Sequence, residues 1–140
     1  LASALLATAA PTAALAAGRA CPTDAERARF GAFRDRLAAA GTPDEAKELA
    51  LNKVKVAHQA IDAAAGIVKD ADGIAEADAK LDAFEAQIDA ATSQDEVAAA
   101  FTSLGATAGS CDYDKVEIVI IVIGFVLGIL PGILFLLLFC

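Results

Sequence analysis

The sequence predicts an all-α protein: a small antiparallel bundle of three to four helices followed by a single C-terminal transmembrane helix. Three observations carry that expectation. Apolar residues recur at helical spacing between Thr23 and Leu104, with no alternating β-branched run that would read as a strand. Helix starts in that stretch are marked by capping residues. Every charge lies between Arg19 and Glu117, after which "IVIIVIGFVLGILPGILFLLLFC" runs uncharged to Cys140.

Composition bounds the function. The chain has 140 residues, 57% of them hydrophobic, which is high for a soluble domain, and the excess sits at the two ends. The net charge of -8 belongs to the middle zone and argues against a nucleic-acid partner, which needs a basic face to displace counterions. Arg27, Arg29, Arg34 and Arg36 are interleaved with Glu26 and Asp35 and read as a solvated helix face, with contact to anionic lipid as the alternative.

The N-terminal stretch "LASALLATAAPTAALAAGRAC" contains an apolar run of signal-peptide length, a breaking Pro11, and small residues at Ala14 and Ala16 in an A-x-A cleavage pattern. Residues 1–20 are therefore expected to be a truncated signal peptide. The run is too weakly apolar for a membrane helix, and Arg19 beside Cys21 departs from the bacterial lipobox pattern. Export would favour disulfides. Cys21 and Cys111 bracket the charged zone and are the expected pair, closing residues 21–111 into one unit and stabilising it by about 4–5 kcal/mol in the chain-entropy account. The third cysteine, Cys140, lies beyond the apolar segment, outside the expected pair. No C-x-x-C redox motif occurs.

Within the charged zone, Thr23 with Glu26 forms a capping box that opens a first helix, and Phe30, Phe33 and Leu37 share its apolar face until Gly41 ends it. "TPDE" at residues 42–45 supplies an N-cap threonine, a proline in the first turn and two acids that suit the helix dipole. The second helix should reach about Lys69, with Leu49, Val54, Val56, Ala57, Ile61, Ala64 and Val68 available to the core. "DADG" at residues 70–73 stops it. The third carries Ile74, Ala77, Leu81, Phe84, Ile88 and Ala91, alternating three and four residues into one seam. Ser93 with Glu96 caps a short fourth helix bearing Val97, Phe101 and Leu104. "AFRDRLAAAGTPDEA" and "AFEAQIDAATSQDEV" align without gaps, Phe33 with Phe84 and Asp44 with Asp95, which reads either as a duplicated helical hairpin or as two junctions with the same capping chemistry.

Residues 112–117 are expected to be a juxtamembrane linker, with Tyr113 and Lys115 as an interfacial anchor, and residues 118–140 the span. As one helix, 118–139 would be about 33 Å long, enough for a hydrocarbon core of roughly 30 Å. Gly124, Gly128 and Gly132 would then share one face as G-x-x-x-G-x-x-x-G and admit a second helix at close range. Pro131 removes a hydrogen bond to the Leu127 carbonyl and should kink the span, a tight hairpin at Pro131-Gly132 being the alternative. The small residues at 108–110, a short polar spacer and the apolar tail also resemble a glycosylphosphatidylinositol attachment sequence, which implies removal of the tail.

Catalytic chemistry is not legible. His58 is the single histidine, its nearest sequence partner is Asp62 one turn away, and neither metal-ligand spacing nor a nucleophile or phosphate-loop motif is found. The expectation is a non-enzymatic protein with no cofactor and no metal. Its helical domain would lie on the extracytoplasmic side of a membrane and act by association. The partner would be a second copy or a larger membrane complex, of which the chain is then an accessory subunit.

Overall fold

A computed structural model describes residues 22–106 and 113–140, and all six elements among them are helices. They are α1 (Asp24–Ala38), α2 (Pro43–Ile67), α3 (Ala71–Ala90), α4 (Gln94–Ala106), α5 (Lys115–Leu127) and α6 (Ile129–Leu138). The all-α expectation holds. The signal peptide expected at 1–20, the small residues at 108–110, and both Cys21 and Cys111 lie outside the described residues.

The helix starts follow the capping chemistry. Glu26 N donates to Thr23 Oγ1 at 3.1 Å while Thr23 N donates back to Glu26 Oε1 at 2.8 Å. At the next two junctions the internal echo becomes visible as matched hydrogen bonds. Glu45 N donates to Thr42 Oγ1 and Gly41 N to Glu45 Oε2, and at the aligned positions Glu96 N donates to Ser93 Oγ and Thr92 N to Glu96 Oε2. The junctions lie side by side, for Gln94 Nε2 donates to the Ala40 carbonyl at 3.1 Å and Lys47 Nζ to the Asp89 carbonyl at 2.8 Å. One boundary moves: Asp70 accepts from Gly73 N as an N-cap, so "DADG" opens α3 as well as closing α2.

The donors around Glu96 carry a pH consequence. The Thr92 backbone N–H, then its hydroxyl, and more weakly the Ser93 N–H and the charge of Lys47 hold the Glu96 carboxyl below its ordinary range, against an opposing effect of burial. A depressed folded value means the cap's stabilisation is complete above the ordinary glutamate range and fades as pH falls through the folded value. Because the group is solvent-exposed, the effect is small. Glu96→Gln should flatten the acid limb of the melting temperature plotted against pH and leave the neutral region nearly unchanged.

Helix α2, 25 residues long, touches all five others and forms the axis of the fold. Its central seam is mostly alanine: Ala46, Ala50, Ala57, Ala60 and Ala64 are fully buried beside Val54 and Ile61. Small side chains let neighbouring helices approach closely from several sides. The larger residues expected there, Leu49, Val56 and Val68, are only half-buried on the flanks. Helix α3 lies along α2 through Ala77, Leu81, Phe84 and Ile88, and α1 lies along α4. Phe101 of α4 joins them, its ring 5.6, 5.4 and 4.9 Å from those of Phe30, Phe33 and Phe84.

The remaining face of the bundle is covered by α5 and α6, and here the structure corrects the sequence reading. Residues 118–140 are not one helix. They form two short ones, α5 of 13 residues and α6 of 10, packed against each other and onto the bundle. No helix among the described residues is long and apolar enough to cross a membrane. Val116, Ile120, Ile121 and Ile133 to Leu137 belong to the same core cluster as Phe30, Leu81 and Phe101.

Candidate functional site

Two places bring functional chemistry together, the α5–α6 hairpin and the surroundings of His58. The hairpin begins with a capping box that includes the last charge in the chain: Glu117 N donates to Asp114 Oδ1 at 2.8 Å and Asp114 N to Glu117 Oε1 at 3.1 Å. Helix α5 ends at Leu127, with Gly128 N still donating to the Gly124 carbonyl at 3.0 Å. The cause of the break is Pro131, which has no N–H for the Leu127 carbonyl and whose ring would collide with it in a continuous helix. The result is a full reversal rather than a kink, and it turns at Gly128, three residues before the Pro131-Gly132 pair. Pro131 ends up in the first turn of α6, where its missing N–H would have no helical partner anyway.

The reversal redistributes the glycines. Gly124 and Gly132 face each other across the hairpin: a β-carbon on Gly124 would lie 2.8 Å from Phe135 Cδ2 and 3.2 Å from Gly132 Cα, and one on Gly132 would run into the Phe125 ring. The contact these two glycines make lies within the chain, between α5 and α6. Gly128 leaves that face for the turn, with an extended backbone (φ 167°), and a β-carbon there would lie 3.3 Å from Pro131 Cδ. Tyr113 donates its hydroxyl to the Leu136 carbonyl at 2.6 Å and closes the hairpin's open end, while Lys115 is exposed in the first turn of α5. Lys80 of α3 docks that end onto the bundle, 3.4 Å from Glu117 Oε2 and 5.6 Å from the Phe139 ring centroid.

At the other end the tip is bare. Val126, Leu127 and Ile129 are 79%, 47% and 45% exposed, against 3% or less for Ile133 to Leu137 in the same hairpin. Cys140, outside the pair expected from the sequence, is disulfide-bonded. The expected partners of the bundle's own bridge, Cys21 and Cys111, lie outside the described residues.

His58 projects from α2 beside the buried Ala57 and Ile61 and meets the polar edge of α3. Its Nε2 lies 3.0 Å from Glu85 Oε1 and 3.6 Å from Asp82 Oδ1, and its Nδ1 lies 3.8 Å from Asp78 Oδ1. One ligand atom from each of His58, Asp82 and Glu85 can be chosen so that all lie within 4.8 Å of one another. The sequence reading paired His58 with Asp62 instead, because only the same helix offers a partner at a known spacing. The available signal was the row Asp78, Asp82, Glu85 at helical intervals on α3, one position off the Ala77, Leu81, Phe84 seam that packs on α2. Comparison with protein families, with curated proteins and with solved structures finds no match for this chain.

Proposed function

We propose that this chain is a non-enzymatic envelope protein that works by association, with the apolar hairpin as its membrane-contacting element and the acidic bundle facing the aqueous extracytoplasmic side. The observation that carries the reading is the hairpin tip. Of the four exposed large hydrophobic side chains among the described residues, three, Val126, Leu127 and Ile129, sit together at the turn, in a segment without a charge from 118 to 140. Moving each from water into hydrocarbon is worth about 1.5–3 kcal/mol at most, so three support reversible insertion rather than permanent anchoring.

Two further observations favour this version over a single span. The hairpin contributes Ile133, Leu134 and Phe135 to the core, so straightening it would strip the bundle, and removing it as a sorting tail would do the same. The disulfide at Cys140 fits an oxidising compartment, the side of the membrane on which this reading places the bundle.

The chain has no tryptophan, so Leu127→Trp creates a unique reporter. Its emission should shift to the blue on adding zwitterionic vesicles and be quenched by lipids brominated along the acyl chain. Emission that stays that of an exposed indole with every lipid would defeat the reading. A tag after Cys140 that remains on the bundle's side of the vesicle marks a hairpin, and one that crosses marks a span. Recovery of a stoichiometric membrane protein on gentle extraction, with no lipid response, would support the accessory-subunit alternative.

A further inference from the structure

We infer that His58, Asp82 and Glu85 form a binding site for a divalent transition-metal cation of the Zn2+ class, with Asp78 orienting the imidazole from its other nitrogen. The site is independent of the hairpin and of the membrane reading. Three considerations support it.

The first is the direction of the donors. Two carboxylate oxygens, Glu85 Oε1 at 3.0 Å and Asp82 Oδ1 at 3.6 Å, converge on the same nitrogen, His58 Nε2. That nitrogen carries at most one hydrogen and can satisfy only one of them. With Asp78 facing Nδ1, the tautomer protonated at Nδ1 turns a bare lone pair at Nε2 toward both oxygens. A proton at Nε2 would satisfy one carboxylate, Glu85 at 3.0 Å, whereas a cation between the three atoms would engage all of them. A second proton on the imidazole would answer this only in part, whereas a metal ion answers all three, and a carboxylate behind the distal nitrogen is the usual support of a metal-bound histidine.

The second is the fit. Ligand atoms bound about 2.0–2.2 Å from a Zn2+-like ion stand roughly 3–4 Å from one another. His58 Nε2 lies 3.0 and 3.6 Å from the two carboxylate oxygens, and one ligand atom from each residue can be chosen so that all three lie within 4.8 Å of one another. Small side-chain rotations close them round an ion. Imidazole nitrogen with carboxylate oxygen selects zinc and its neighbours over calcium or magnesium, which take oxygen alone.

The third is rigidity. Asp82 and Glu85 stand three residues apart on α3 and flank the buried Phe84, and His58 follows the buried Ala57. Both helices are fixed by the core beneath the site, so little conformational freedom is lost on binding. An ion here would cross-link α2 to α3.

The test is titration calorimetry of the full chain with Zn2+, under non-reducing conditions after alkylating any reactive thiol, with Co2+ as an optical probe. One ion per chain should bind. His58→Gln, Asp82→Asn and Glu85→Gln should each weaken it by about tenfold or more, while Asp62→Asn, a carboxylate one turn from His58, should leave it unchanged. Asp78→Asn should have a smaller effect. Circular dichroism of each variant without metal separates lost binding from lost fold, and the affected side chains are exposed or half-exposed enough for the fold to survive. The Co2+ spectrum should show weak visible bands only. Absence of saturable binding, an affinity indifferent to His58→Gln, or an intense thiolate charge-transfer band would each overturn the site.

Discussion

Phe101→Ala is expected to destabilise the protein by about 3–5 kcal/mol, the usual cost of removing a large aromatic ring from a packed core. Phe101 is 1% exposed and is the one ring in contact with Phe30, Phe33 and Phe84, which come from two other helices. Edge-on and tilted aromatic pairs add about 0.5–1.5 kcal/mol each beyond their buried area. The alanine-rich seam of α2 cannot close over the gap, since its side chains are already too short to follow a retreating wall. With total stabilities of about 5–15 kcal/mol for natural domains, such a loss removes a large share of the fold's margin. Urea denaturation of the variant should show a much lower midpoint than that of the parent chain. Val56→Ala, at a position that periodicity alone places in the core but that is half-exposed, should cost less than about 1 kcal/mol. Equal losses at the two positions would mean that the aromatic cluster does not organise the bundle.

What could be read from the sequence was local. Thr23 with Glu26, Thr42 with Glu45 and Ser93 with Glu96 are contacts between residues three apart, and all form as their spacing implies. The seam of α3 was equally legible, since Leu81, Phe84 and Ile88 are large and regularly spaced. The seam of α2 was not. Alanine scores weakly as a core residue, yet a helix packed against several neighbours at once needs small side chains, so Ala46 and Ala50 are buried while Val56 is not. The His58 cluster joins residues 20 or more positions apart, a separation that leaves no periodic trace.

The C-terminal segment escaped for a different physical reason. Hydropathy registers how much apolar area a stretch carries, not what covers it, and residues 118–139 are apolar enough to read as a span. Pro131 contained the correcting signal. Its conflict with the Leu127 carbonyl can be resolved by a bend or by a reversal, and the choice depends on the surface available to α6, the face of α1 and α2 that would otherwise be bare.

Substitution of the three glycines separates the hairpin from the span by opposite rank orders. In a straight helix Gly128 is the centre of the shared face, and a side chain there should disturb a partner most. In the hairpin Gly128 should tolerate a methyl group, because its backbone is extended and a β-carbon meets only the Pro131 ring, 3.3 Å from Cδ and 3.6 Å from Cγ, a contact relieved by a few tenths of an ångström. Gly128→Ala should therefore be nearly neutral. Gly124→Val should be the most damaging, since its β-carbon would strike the fully buried Phe135 ring and the Gly132 backbone, neither of which can yield unless the two arms separate. Overpacking of this kind costs about 1–3 kcal/mol, and more where backbone has to move. Gly132→Val should fall between them: its β-carbon would enter the Phe125 ring, but Phe125 is only half-buried and can swing outward. The measurements are the melting temperature of each full-length variant and hydrogen exchange across residues 115–139, which should quicken for Gly124→Val and Gly132→Val and stay slow for Gly128→Ala. If Gly128→Ala instead proves the most disruptive, the apolar segment is a straight helix with an external partner, and the contact between Gly124 and Gly132 does not hold the fold.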